Sequence, residues 1–162
     1  MDLTKIRLAA RAVDEEKALE IVDKSTFGVV SMCAPDNTPY AVALNLARDG
    51  RKLYFHAAKE GLKVELMRQN PPVCVVFVPK ATLVPEQFTT HYASAVVRGV
   101  TREVTDAEEG NHALRVICDR FSPAFSEETE RRIAGGATSY TGVWCIDMES
   151  ITGKANPAGV ID

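Results

Sequence analysis

The amino-acid sequence predicts a mainly β fold, a small and mostly antiparallel barrel of six strands with helices at its periphery. Three observations predict it. Apolar or alternating runs recur at 27–33, 40–47, 52–57, 73–78, 92–104 and 141–148. Short clusters of turn formers join the first of these runs, with no long crossover of the kind parallel strands need. Helical periodicity falls between or beside the runs, at 14–24, 62–69, 106–121 and 126–135.

Asp14 is placed to cap a first helix through Lys24, with Glu15 and Glu16 in its positive first turn and Ala18, Leu19 and Val22 as its apolar stripe. The strands 27–33 and 40–47 flank Ala34-Pro35-Asp36-Asn37-Thr38-Pro39, a turn cluster, so they pair antiparallel. Asp49-Gly50 turns the chain into 52–57. A short helix follows, with Leu62, Leu66 and Met67 on one face, and Asn70-Pro71-Pro72 stops it because proline lacks an N–H and disfavours helical geometry before it. Residues 73–78 read as a strand apolar on both faces, and 79–90 as a loop. In the long strand 92–104, Val96, Val100 and Val104 share a face with Arg98 and Arg102, and Gly99 marks a bulge or a close approach. Asp106 and Glu109 resemble a capping box opening a helix to Phe121, lined by Ala113, Leu114, Ile117 and Phe121. Ser126 is expected to cap a last helix ending near Gly135-Gly136. Trp144, Ile146 and Met148 alternate to one face of the final strand, 141–148.

The length of 162 residues suits one domain, residues 1–162, with its core at about 14–154. Acidic residues outnumber basic ones, 22 to 19, so no global positive field recruits nucleic acid or an anionic membrane. No apolar run approaches the ~20 residues that span a bilayer. Lys5, Arg7 and Arg11 have no apolar signal core beside them, and a cytoplasmic location is expected. Cys33, Cys74, Cys118 and Cys145 are far apart in sequence, so buried free thiols are expected and no metal site is.

The chemistry concentrates in Leu53-Tyr54-Phe55-His56-Ala57-Ala58-Lys59-Glu60-Gly61-Leu62-Lys63, where a strand gives way to a helix start. Unpaired N–H groups at a helix start, with Lys59 and Lys63 beside them, suit a phosphate. The same residues also suit an ordinary solvated turn, since strand ends and helix starts are common.

Taken in order, Gly28-Val29-Val30-Ser31, Pro39-Tyr40-Ala41-Val42, the run 53–63, Asn70-Pro71, Phe88-Thr89-Thr90-His91-Tyr92-Ala93-Ser94 and Ile151-Thr152-Gly153-Lys154 resemble one family. It is the pyridoxamine 5'-phosphate oxidase-like FMN-binding split barrels, in the branch related to 5-nitroimidazole antibiotic resistance proteins. The resemblance covers about 14–154 and implies a Greek-key-like split barrel, a homodimer, and two FMN sites in clefts between subunits. It implies that Val42, Ala43, Leu44 and Asn45 run along the flavin ring and ribityl chain. Phe55, His56, Ala57 and Ala58 would approach from the third strand. Lys63, with Lys59 nearby and the N–H groups around Gly61, would meet the phosphate, and Tyr92 and Ser94 would come from the partner subunit. Three positions depart from the family pattern: Ala43 where proline is frequent, Leu46 where an aromatic residue is common, and Asn37 in place of a turn glycine. Wider relatives bind haem or deazaflavin, so the fold alone does not select FMN.

His56 is the one candidate for a catalytic role, against the plainer reading of a histidine satisfying a carbonyl at a strand end. His112 reads as exposed and His91 as a loop residue at a cleft edge. Trp144 reads as core, and Arg98 and Arg102 as a solvated face, an ion pair or an anion site. Two functions remain at this level. One is an FMN-dependent oxidoreductase acting on a small organic molecule such as a nitroaromatic, with a reduced nicotinamide donor. The other is a non-catalytic flavin- or haem-binding protein for storage, sensing or sequestration.

Overall fold

A computed structural model describes residues 5–136 and 141–157. Its strands are β1 (Ala12–Val13), β2 (Gly28–Cys33), β3 (Pro39–Leu44), β4 (Ala47–Asp49), β5 (Lys52–Ala57), β6 (Pro72–Phe77), β7 (Ala81–Val84), β8 (Thr89–Glu103) and β9 (Gly142–Asn156). Its helices are α1 (Glu15–Lys24), α2 (Leu62–Gln69), α3 (Ala107–Phe121) and α4 (Ser126–Ala134). The strands pair antiparallel in the order β3-β2-β6-β8-β9-β5-β4, with β1 added to β9 and β7 to β8.

The sheet closes on itself without hydrogen-bonding its ends. Val30 of β2, Val75 of β6 and Leu53 and Phe55 of β5 are far apart along the strand order, yet they belong to one buried cluster. β3 and β4 remain open edges, which makes the barrel split. The spine is the β8–β9 ribbon, which changes register between Arg98 and Gly99 because Glu149 of β9 is left without an opposite residue. Gly99 packs so closely that a Cβ there would stand 2.3 Å from the Asp147 carbonyl oxygen. Gly153 does the same for α1, since a Cβ would meet Ala18 Cβ at 2.8 Å.

The expected helix starts hold at two of three places. Asp14 accepts from the Lys17 N–H at 2.8 Å and Asp106 from the Glu109 N–H at 2.8 Å. Ser126 caps nothing. It already has helical angles, because α4 is entered straight from the 3-10 turn Pro123–Phe125. In α2 the buried face is Val64, Leu66 and Met67, while Leu62 is exposed at the first turn. The stretch expected as a loop holds β7, whose pairing with β8 gives no burial alternation to reveal it. β9 runs on to Asn156, because the bulge at Glu149 breaks the alternation that would have shown it. All four cysteines are free, but only Cys145 is buried, where burial pushes its thiol up to about 12. The other three lie on half-buried faces.

A second apolar cluster joins Ala47, Tyr54, Val143 and Cys145 on the outside of the sheet to Ala113, Leu114, Ile117 and Ile133 of α3 and α4. An ion network fixes it. The Glu109 side chain does not complete a capping box but takes a bidentate pair from Arg102 at 2.6 and 2.8 Å, and also bonds from Lys52 and Tyr54, each at 3.1 Å. Arg102 reaches Asp147 at 2.8 Å as well, which settles it as an ion pair. The Arg102 guanidinium holds the Glu109 carboxyl down at about 2. A depressed carboxyl stabilises the fold above its ordinary value, near 4.5, and this contribution fades as pH falls toward 2. Glu109→Gln is therefore expected to lower stability by about 2 kcal/mol at pH 7. Denaturant curves of wild type and variant should converge between pH 4.5 and 2.

Candidate functional site

β5 alternates around its pairing with β9, so Phe55 and Ala57 face the core while His56 projects outward. The chain then leaves the sheet through exposed Ala58, Lys59 and Glu60 and turns at Gly61, whose φ of 118° suits glycine alone. Gly61 starts α2 by accepting from the N–H groups of Val64 and Glu65 at 2.9 and 3.1 Å. The N–H groups of Leu62 and Lys63 stay outside that ladder, and Lys63 is half-buried in the same first turn. Open space lies beside Gly61. A cation, two unused N–H donors and a glycine turn together fit a phosphate.

Five residues before this turn, His56 lines a cleft of about 510 Å³ between the barrel and the α3–α4 pair. Asn45 and Thr26 line its barrel side, with the Asn45 amide donating to the Thr26 carbonyl at 2.7 Å. Leu114, Ile117, Phe121 and Ile133 form the apolar helical wall, and Cys118 and Thr129 also border it. The sequence marks Leu114, Ile117 and Phe121 only as a packing stripe and gives Thr129 and Ile133 no role. The available signal was the pair of adjacent amphipathic helices, which say that a wall exists but not what it faces. A mostly apolar cleft with polar groups on both its sides, Asn45 and His56 from the barrel and Thr129 and Arg132 from α4, suits a planar organic molecule.

The thirteen residues implied by the resemblance separate into two groups. On the open edge strand β3, Val42 and Leu44 are half-buried against the core, while Ala43 and the following Asn45 are exposed. A ligand along that edge meets the side chains of Ala43 and Asn45 and only the backbone of the other two. Phe55 is 1% exposed and stacks on Trp144 with ring centroids 6.4 Å apart, so its side chain belongs to the core. Tyr92 and Ser94 lie apart from the His56 cleft, on β8. Tyr92 borders a cleft of about 240 Å³ with Lys154 over its ring at 5.5 Å, and Ser94 borders one of about 250 Å³. The Ser94 oxygen is buried without a hydrogen-bond partner among the described residues. His112 is exposed and pairs with Asp49 at 2.8 Å, and His91 is half-buried in the β7–β8 hairpin.

A split antiparallel barrel with peripheral helices defines the class of protein. The chain belongs to the pyridoxamine 5'-phosphate oxidase family, whose profile matches residues 14–155. It is similar in structure to a protein of Bacteroides thetaiotaomicron provisionally assigned to 5-nitroimidazole antibiotic resistance, at 26% identity and a TM-score of 0.71 over 88% of this chain and 85% of that one. It is also similar to the flavocytochrome Anf3 of Azotobacter vinelandii, at 19% identity and 0.80 over 100% and 77%. A FAD-binding protein of Mesorhizobium loti matches at 24% identity and 0.64 over 88% and 95%. No curated protein matches the sequence. Among the described residues no helix is long and apolar enough to cross a membrane.

Proposed function

We propose that this protein is an FMN-dependent oxidoreductase that acts on a small organic molecule, with nitroaromatics as the leading substrate class and a reduced nicotinamide as donor. The observation that supports the reading is that one short chain segment carries both His56, which lines a largely apolar cleft, and the phosphate-competent turn Gly61 to Lys63. The flavin, when bound, supplies the electron chemistry. Lys63 and the N–H groups beside it hold the phosphate, and the edge of β3 carries the ribityl chain. His56 offers a ring N–H at the cleft mouth, and the α3–α4 wall excludes water from the bound ring. The provisional nitroimidazole assignment of the Bacteroides protein supports the substrate class.

The same reading makes the working unit a homodimer. Tyr92 and Ser94 lie away from the His56 cleft of their own chain, so they complete a flavin site only in a neighbouring one. Exposed Leu83, Phe88, Phe27 and Leu62 offer apolar surface for that contact. Sedimentation at micromolar concentration should give two chains per particle, and a monomer that binds flavin tightly rules the arrangement out.

The absorption spectrum of freshly purified protein tests the cofactor. Flavin bands support the proposal, a Soret band points to haem, and colourless protein that takes up neither refutes both. Turnover of reduced nicotinamide with nitro compounds then separates an enzyme from a storage or sensing protein. His56→Ala should shift the flavin spectrum or the rate while moving the melting temperature little, because the side chain is exposed. A large fall in melting temperature with an unchanged spectrum would make His56 structural.

A further inference from the structure

Phe88 is the most exposed large apolar side chain among the described residues, at 99%, and Leu83 follows at 75%. Both belong to one arm, the β7–β8 hairpin, whose pairing runs from Ala81 opposite Tyr92 out to Val84 opposite Thr89. The 3-10 turn Pro85–Gln87 closes its tip, and Phe88 ends that turn in left-handed backbone, with φ 49° and ψ 39°. Left-handed geometry disfavours any residue with a Cβ, and a phenyl ring has no local hydrogen bond to offset it as asparagine does. Glycine or asparagine would serve the turn better. Within its own chain Phe88 gains nothing for that conformation, since its ring buries no surface there. A bulky apolar residue held in this way marks a contact with another molecule.

The arm itself points to a second copy of this chain. Tyr92 borders the same open groove, of about 700 Å³, as Leu83 and Phe88, so the tip and Tyr92 form one continuous surface. In the homodimer proposed above, Tyr92 serves the flavin site of the neighbouring chain. Four strand residues, about 13 Å, then separate Tyr92 from the tip, so Phe88 meets the neighbour a short way beyond the flavin. The receiving side has exposed apolar residues of its own. Phe27, 51% exposed, follows Thr26 of the His56 cleft, and Leu62, 55% exposed, stands in the turn Gly61 to Lys63. Among the described residues no part of the hairpin lines the His56 cleft of its own chain. A two-fold arrangement covers both apolar groups at once, because each chain offers its arm and receives the other.

We propose that Phe88 of each chain lies over the His56 cleft of its partner and is the aromatic wall against which the organic substrate packs. The inference rests on the homodimeric flavin reading and extends it to substrate selection. A planar aromatic substrate gains offset stacking from such a ring. FMN, held by Lys63 and the edge of β3, does not depend on it. The arm therefore sets substrate affinity and leaves cofactor affinity alone.

Phe88→Ala and Phe88→Trp test this on the full chain, and both should fold because the side chain buries nothing in its own subunit. In the flavin-loaded protein, with nitrobenzene and a reduced nicotinamide, Phe88→Ala should raise KM for nitrobenzene about tenfold. Its kcat and its FMN affinity should stay close to wild type. Phe88→Trp adds a second indole to the buried Trp144, so subtracting the wild-type emission isolates it. That emission should be blue-shifted in the dimer and move to the red as dilution separates the chains. An unchanged KM in Phe88→Ala, or a solvent-exposed indole in the dimer, overturns the inference and leaves the proposed function standing. A monomer that turns over nitrobenzene overturns it together with the dimer. Protein that takes up no flavin refutes the proposed function and with it the substrate role, while the emission still decides whether a second chain covers residue 88.

Discussion

Lys63→Ala should weaken FMN binding by about tenfold to a hundredfold and leave riboflavin binding almost unchanged. A charge-assisted contact to a phosphate contributes roughly 1.5 to 3 kcal/mol, which sets that range. The geometry supports a local effect. Lys63 is half-buried in the first turn of α2, and no ion pair among the described residues holds its ammonium elsewhere. The buried side of the helix is carried by Val64, Leu66 and Met67, so the alanine variant keeps its packing and should keep its melting temperature. Alanine also has the higher helix propensity. Riboflavin lacks the phosphate and serves as the internal control. Equal losses for both ligands, or no loss for either, would remove Lys63 from the site.

Much of the barrel is legible in the sequence because its hairpins are short and its buried faces alternate. The residues of β2, β5 and β6 declare themselves by pattern, and Asp14 and Asp106 by their position before helical runs. β7 is not legible, since Ala81, Thr82 and Leu83 are all exposed and are held only by main-chain pairing to β8. The extension of β9 is hidden for a different reason. One unpaired residue, Glu149, exchanges the two faces, so a period-two reading stops at Met148 although the strand continues. At the site, the turn Gly61 to Lys63 is visible as chemistry in sequence because glycine, lysine and a helix start are local. The His56 cleft is not. Its walls come from α3 and α4, more than fifty residues away along the chain, and only packing brings them to β5. The grouping of Arg7, Arg98 and Lys154 is missed in the same way, because these residues line one small cleft only through the β8–β9 pairing and the path of residues 5 to 7.

Trp144→Ala should destabilise the protein by about 3 to 5 kcal/mol, the range for emptying a large buried aromatic site. Trp144 is 1% exposed and lies directly opposite Phe55 across the β5–β9 pair, with the two rings stacked at an interplanar angle of 18°. The Arg68 guanidinium lies 5.9 Å from its ring centroid, so the indole also ties α2 to the barrel. α2 is the helix whose first turn carries Lys63, so loosening it acts on the proposed phosphate site through packing rather than charge. The variant should therefore weaken FMN and riboflavin together, unlike Lys63→Ala. The indole N–H is buried without a partner among the described residues, and Trp144→Phe removes that donor while keeping an aromatic ring. Phenylalanine should accordingly cost less than half as much as alanine in urea unfolding. A loss below 1 kcal/mol for Trp144→Ala, accompanied by abolished flavin binding or a monomeric particle, would move Trp144 from the core to the cofactor edge or the subunit interface.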